Sequence, residues 1–120
     1  MKKILIVDDE PNIVMTLEYT FKKNNYEVFI ARDGQEALEI LKTNFPDVII
    51  LDIMMPMVDG FATLEHIRKD ANLKHTKVMF LSAKNKESDI EKGLALGADA
   101  YMTKPFSIKK VVEKVEELLL

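Results

Sequence analysis

Asp47 to Gly60 reads D-V-I-I-L-D-I-M-M-P-M-V-D-G, and this stretch decides the architecture. Val48 to Leu51 is an unbroken apolar run of strand length, as expected of a strand buried on both faces. The run ends on a carboxylate, Asp52, where such a strand leaves the core. Met54, Met55, Pro56 and Met57 follow, and Asp59-Gly60 closes the loop before a helical pattern begins. An acid at the carboxyl end of a central strand lies where open α/β sheets bind their ligands. Alone it is equally well explained as a strand terminator, so the rest of the chain has to decide.

The 120 residues suit one domain over 1–120. Apolar residues at 48% and charged residues at 31% give the balance of a globular rather than a disordered chain. No apolar stretch reaches the roughly 18 residues of a membrane span, and the apolar run near the N-terminus, Ile4 to Val7, is too short for a signal peptide. The absence of cysteine removes disulfide frameworks and thiolate metal sites and is compatible with a cytoplasmic location. A net charge of −3, with Arg32 and Arg68 the only guanidinium groups, argues against direct nucleic-acid contact by this domain.

Outward from the central stretch, strand and helix patterns alternate. Lys3 to Val7 reads as a first strand, with Asp9 as the N-cap of the helix that follows and Pro11 in its first turn. Ile13, Leu17 and Phe21 give that helix its apolar stripe. Tyr26 to Ala31 is a second strand, Asp33-Gly34 a turn, and Ala37, Leu38 and Leu41 the inner face of a second helix. Phe61, Leu64, Ile67 and Ala71 mark the third helix, and Val78 to Leu81 the fourth strand. Ile90 and Leu94 mark the fourth helix, with Gly97 closing it. Ala100 to Met102 is a fifth strand, and Ile108, Val111, Val112 and Val115 line a last helix. Five such alternations call for a parallel five-stranded α/β sheet with helices on both faces. The order 2-1-3-4-5 fits best, because strands one, three and four are the most uniformly apolar and belong in the middle. It sets the switch point between strands one and three, so that Asp8, Asp9 and Asp52 are expected in one crevice.

Four strand ends then carry chemistry: Asp8-Asp9, Asp52, Ser82 and Lys104. Each alone has a plain explanation, as a cap, a turn residue or a solvated charge. Those explanations leave unaccounted that all four fall on one edge of one sheet. Three carboxylates crowded together repel, and the pKa of one rises unless cations relieve them. Lys104 supplies one positive charge, and a hard divalent ion such as Mg²⁺ supplies two more to an all-oxygen site. With both in place the site can take phosphate oxygens. Asp52 is then a candidate nucleophile toward phosphorus, with Lys104 and the Ser82 hydroxyl stabilising the transferred group.

The segments D-D-E after strand one, D-I-M-M-P-M-V-D-G at strand three, S-A-K after strand four and G-A-D-A-Y-M-T-K-P-F at strand five resemble the receiver domain of bacterial two-component response regulators. The likeness spans essentially the whole chain. It implies the (βα)5 flavodoxin-like three-layer sandwich, whose strand order is the family's own, so order and resemblance count as one inference. It further implies that Asp52 accepts a phosphoryl group from a phosphohistidine on a sensor histidine kinase or histidine phosphotransfer protein. Asp9 would ligate Mg²⁺ directly, Asp8 mostly through water, and the Met54 carbonyl would complete the protein ligands beside Asp52. Lys104, Ser82 and Ala83 would bind the phosphoryl oxygens. Ser82 and Tyr101 would act as the switch pair, and the Lys104-Pro105 bond would be cis.

Other residues invite less. Met54, Met55 and Met57 read as adaptable loop packing rather than a soft-metal box. His66 and His75 read as surface residues. An aspartyl-phosphate phosphatase of haloacid-dehalogenase type needs a second Asp where Met54 stands, and a flavodoxin-type cofactor carrier needs a Gly- and hydroxyl-rich loop where D-D-E-P-N stands. The expected role is therefore a signalling switch rather than an enzyme, relayed to the face of helix four, strand five and helix five. Its target would be a downstream protein or an effector domain, the chain being monomeric or dimerising on phosphorylation. Ala100 and Lys109-Lys110 replace the charges by which one subfamily pairs that face. A stand-alone regulator is expected first, and a receiver excised from a longer regulator second.

Overall fold

Strand and helix alternate without interruption through the computed structural model, which describes Met1 to Leu120. In chain order the elements are β1 (Lys3–Val7), α1 (Pro11–Lys23), β2 (Glu27–Ala31), α2 (Gly34–Ile40), β3 (Val48–Leu51), α3 (Gly60–Lys69), β4 (Lys77–Ser82), α4 (Glu87–Ala95), β5 (Ala100–Thr103) and α5 (Ile108–Leu118). All strand pairings are parallel and the order is β2-β1-β3-β4-β5, as predicted. The result is a flavodoxin-like sandwich of three layers.

The strand side chains explain the layers. Leu5, Val7, Ile49, Leu51, Val78 and Phe80 join one buried cluster, where they meet Ala37 of α2 and Phe61, Leu64 and Ile67 of α3. Ile4, Ile6, Val48, Ile50, Met79 and Leu81, one step out of phase, join the other with Leu17 and Phe21 of α1 and Val111 and Val115 of α5. Period-two alternation thus sends every other side chain of a central strand to each face, and both faces are apolar because helices cover both. This is why Val48 to Leu51 shows no polar alternation.

Several local expectations are corrected. Asp9 does not cap α1: Glu10 holds the N-cap position, and no side chain caps that helix. The Asp8 side chain takes the Glu10 amide instead, at 2.9 Å, just before Pro11. Asp33 is less a turn residue than the N-cap of α2, its carboxylate accepting from the Glu36 amide at 2.8 Å. Ala71 lies outside α3 and is exposed. The helix stops because Asp70 caps a short 3-10 turn (Ala71–Leu73), and Leu73 fills the core there instead. Gly97 follows α4 with φ +110, the left-handed closure expected of it.

Candidate functional site

The parallel sheet brings the carboxyl ends of β1, β3, β4 and β5 to one edge, and main-chain bonds fix each of them. The Asp8 amide donates to the Ala31 carbonyl at 3.1 Å, and the Asp52 amide to Val7 at 2.9 Å. The Lys104 amide donates to the Ser82 carbonyl at 2.9 Å, so β5 carries Lys104 to the level of Asp52. The Lys104-Pro105 peptide bond is cis.

Lys104 is the centre of the site. Its Nζ lies 2.8 Å from Glu10 Oε1, 2.9 Å from Asp8 Oδ2 and 3.5 Å from Asp52 Oδ2. Asp8 and Asp52 are buried, Lys104 nearly so, and Glu10 is exposed. One oxygen from each of Asp8, Glu10 and Asp52 can be chosen so that all lie within 4.8 Å of one another. The remaining Asp52 oxygen, Oδ1, accepts from the Ile53 amide at 2.7 Å.

Burial pushes the Asp8 carboxyl above its ordinary value, and the Asp52 charge adds to the rise. The Glu10 amide and Lys104 oppose it without cancelling it. Desolvation therefore outweighs the carboxylate repulsion that the sequence suggested as the cause. For Lys104 burial acts downward, but hydrogen bonds to Glu10 and Asp8 and the nearby carboxylate charges outweigh it and raise the ammonium above its ordinary 10.5. A cluster of hard oxygen donors with one resident cation suits a divalent ion of the Mg²⁺ kind and does not suit zinc or a soft metal.

The other predicted residues fall into place unevenly. Asp9 is exposed and is not one of the three close carboxylates, but it shares a depression with Asp8, Pro11, Met15, Ile30 and Arg32. The third carboxylate on Lys104 is Glu10, which sequence reasoning passed over. Its only signal was the acid run Asp8-Asp9-Glu10, which does not by itself single out the acid that reaches Lys104.

Ser82 is fully buried at the end of β4 and its Oγ accepts from the Lys84 amide at 3.3 Å. Ala83 is exposed just beyond it. Tyr101 is half-buried, its ring 5.7 Å from that of Phe80, and its hydroxyl donates to the Lys84 carbonyl at 2.7 Å. His66 and His75 are both exposed, as expected.

The loop after β3 differs from its reading as methionine packing. Met55 alone joins the core, while Met54 and Met57 are exposed, and Met57 adopts a left-handed φ of +68. The loop is closed from below by Gly60, whose amide donates to the Ile53 carbonyl at 2.9 Å. A Cβ at Gly60 would stand 2.3 Å from the Asp52 carbonyl oxygen and 2.6 Å from Ile53 Cα, so only glycine lets α3 start this close to Asp52.

Comparison with known proteins agrees with this arrangement. Residues 4–116 match the family described as the response regulator receiver domain. The alkaline phosphatase synthesis transcriptional regulatory protein PhoP of Bacillus subtilis (strain 168) is 44% identical over 118 residues, which is 98% of this chain and 48% of that protein. The chain thus spans about half the length of that curated relative. Among solved structures, the receiver domain of Francisella response regulator 1452 superimposes with a TM-score of 0.91 at 39% identity, covering 99% of this chain and 97% of that one. The chemotaxis response regulator CheY4 of Vibrio cholerae gives 0.93 at 32% identity, covering 99% of both chains.

Proposed function

This chain belongs to the response regulator receiver domain family, and from that membership and the site geometry we propose that it is a phosphorylation-operated switch whose acceptor is Asp52. The observation that carries the reading is a buried carboxylate, Asp52, facing a nearly buried ammonium, Lys104, at 3.5 Å on a ligand-binding sheet edge. An Asp52 oxygen attacks the phosphorus of a phosphohistidine on a sensor kinase or phosphotransfer protein. The P–N bond breaks, its electron pair returns to the imidazole nitrogen, and an aspartyl phosphate remains.

The protein's part is positioning and charge. Asp52 is held by the Ile53 amide, Lys104 offers its N–H groups to the phosphoryl oxygens, and Ala83 lies at the mouth of the site. Asp8 and Asp52 would hold a Mg²⁺ ion from the buried side, with Asp9 at the rim and the Met54 carbonyl as the other donors. When bound, that ion offsets the carboxylate charge and neutralises charge developing on the phosphoryl oxygens.

The phosphorylated site would draw Ser82 toward it, and Tyr101 would follow, altering the face made by α4, β5 and α5. To shift the population usefully, these contacts have to favour the active form by a few kcal/mol. On this reading the domain turns over no substrate beyond its own phosphoryl group and acts as a signalling module rather than an enzyme, with the cytoplasm as its proposed location. Its partners would be a histidine kinase upstream and a protein target or effector domain downstream. The likeness to a transcriptional regulator twice this length favours a second reading of the output, in which an attached DNA-binding domain receives the signal.

Intact mass after incubation with a small acyl phosphate tests the mechanism. One added phosphoryl group is expected, dependent on Mg²⁺ and absent from Asp52→Asn. A folded wild type that binds Mg²⁺ yet never gains that mass would overturn it.

A further inference from the structure

Lys104 is closer to Glu10 than to Asp52, and the two contacts are of different kinds. Glu10 contributes the shortest of the three carboxylate contacts, 2.8 Å, yet its side chain is 56% exposed while those of Asp8 and Asp52 are 3% and 4% exposed. The backbone at Glu10 is pinned: its amide is bound by Asp8, and Pro11 behind it favours the extended conformation observed, φ −87 and ψ 110. Its side chain makes no cap to α1. It lies over Lys104 instead, across 94 positions of sequence.

A lysine ammonium has three N–H donors, and here three carboxylates claim them. Phosphoryl oxygens arriving on Asp52 need at least one donor back. Asp8 is buried and fixed by the Glu10 amide, so the exposed Glu10 side chain is the contact that can be given up to water at least cost.

We propose that Glu10 is the resting counter-ion of Lys104, which must release the ammonium before it can bind the phosphoryl group, and so sets the threshold of the switch. The inference rests on the receiver function proposed above. It gives Glu10 a positioning role through Lys104 and sets it apart from the carboxylates that would hold the metal.

Beryllofluoride, a phosphoryl mimic, makes this measurable by calorimetry at saturating Mg²⁺. Glu10→Gln should bind it roughly two- to fivefold more tightly than wild type, the range an ion pair with one exposed partner supports. Glu10→Asp keeps the charge but shortens the reach and favours capping α1, so it should show the same gain. In a Lys104→Ala background, Glu10→Gln should change nothing.

Unchanged binding in Glu10→Gln overturns the inference. So does a wild-type value in Glu10→Asp, because charge alone would then account for the effect. A tenfold loss of Mg²⁺ affinity in Glu10→Gln also overturns it, by making Glu10 a metal ligand. Failure of wild type to bind beryllofluoride at all would instead bring down the proposed function itself.

Discussion

The Tyr101 hydroxyl donates to the Lys84 carbonyl at 2.7 Å, and the amide of the same residue donates to Ser82 Oγ at 3.3 Å. Lys84 is therefore held at both ends by the two residues expected to switch together. If Ser82 Oγ turns toward a phosphoryl group, it leaves the Lys84 amide and disturbs the carbonyl that holds Tyr101. Tyr101→Phe removes that tether at the cost of about 1 kcal/mol of stability, as one hydrogen bond supports. Urea unfolding reads the loss, and hydrogen exchange should show a faster-opening turn at Lys84.

Lys104→Ala separates chemistry from response. Asp52 should still gain mass from an acyl phosphate in Mg²⁺, more slowly, but the phosphorylated protein should keep the spectrum of its resting form around Tyr101. Paired NMR spectra before and after phosphorylation check this. A full set of shifts in Lys104→Ala would remove Lys104 from the relay.

Gly60→Ala places a methyl group against the Asp52 carbonyl and Ile53. Both neighbours are backbone and cannot rotate away, so we expect about 1–3 kcal/mol of destabilisation. Because the displaced atoms belong to the acceptor, phosphorylation should slow even at temperatures where the variant is folded. Thermal unfolding and initial rates distinguish the two effects.

Met57→Gly should act in the opposite direction. Met57 holds a left-handed φ of +68 with its side chain in solvent, so it carries strain without packing in return. Relief of that strain, less the added chain entropy of glycine, leaves up to about 1 kcal/mol of stabilisation. Chemical denaturation measures it, and a loss of stability would show that Met57 contributes more than its exposure indicates.

Proton linkage at the cluster has a definite sign. Asp8 has a raised pKa, so the folded metal-free protein holds that proton more tightly than the unfolded chain. This favourable contribution is complete at and below pH 3.8 and is lost as pH climbs from 3.8 through the folded value. Lys104, also raised, contributes below pH 10.5 and loses that contribution as pH rises through its folded value. Asp8→Asn should therefore stabilise the metal-free protein at neutral pH, and on the proposed function added Mg²⁺ should raise its stability less than that of wild type. Melting curves from pH 4 to 8, with and without Mg²⁺, decide the matter.

Much of this was legible in the residues because the informative positions are governed by local rules. Val48 to Leu51 and Lys3 to Val7 betray a two-faced sheet by their lack of polar alternation, and the strand order then brings Asp8, Asp52, Ser82 and Lys104 to one edge. Glu10 was not legible. Three consecutive acids look alike on paper, and only the folded backbone, with the Asp8 side chain on the Glu10 amide and Pro11 next, shows that Glu10 rather than Asp9 reaches Lys104. Ala71 misled for a related reason: it continues the helical period of Phe61, Leu64 and Ile67, but Asp70 spends its side chain on the 3-10 turn and ends the helix first. Met54 and Met57 show that apolar character does not imply burial where a loop has to pass over the end of a strand.

The ammonium that neutralises Asp8 and Asp52 arrives on β5, the last strand to be made and one that pairs only with β4. The acceptor and the cation that faces it are therefore 52 positions apart in the chain and meet only through the sheet. The charge balance of the site thus depends on the docking of an edge strand, so loss of β5 from the sheet would leave Asp8 and Asp52 without their ammonium.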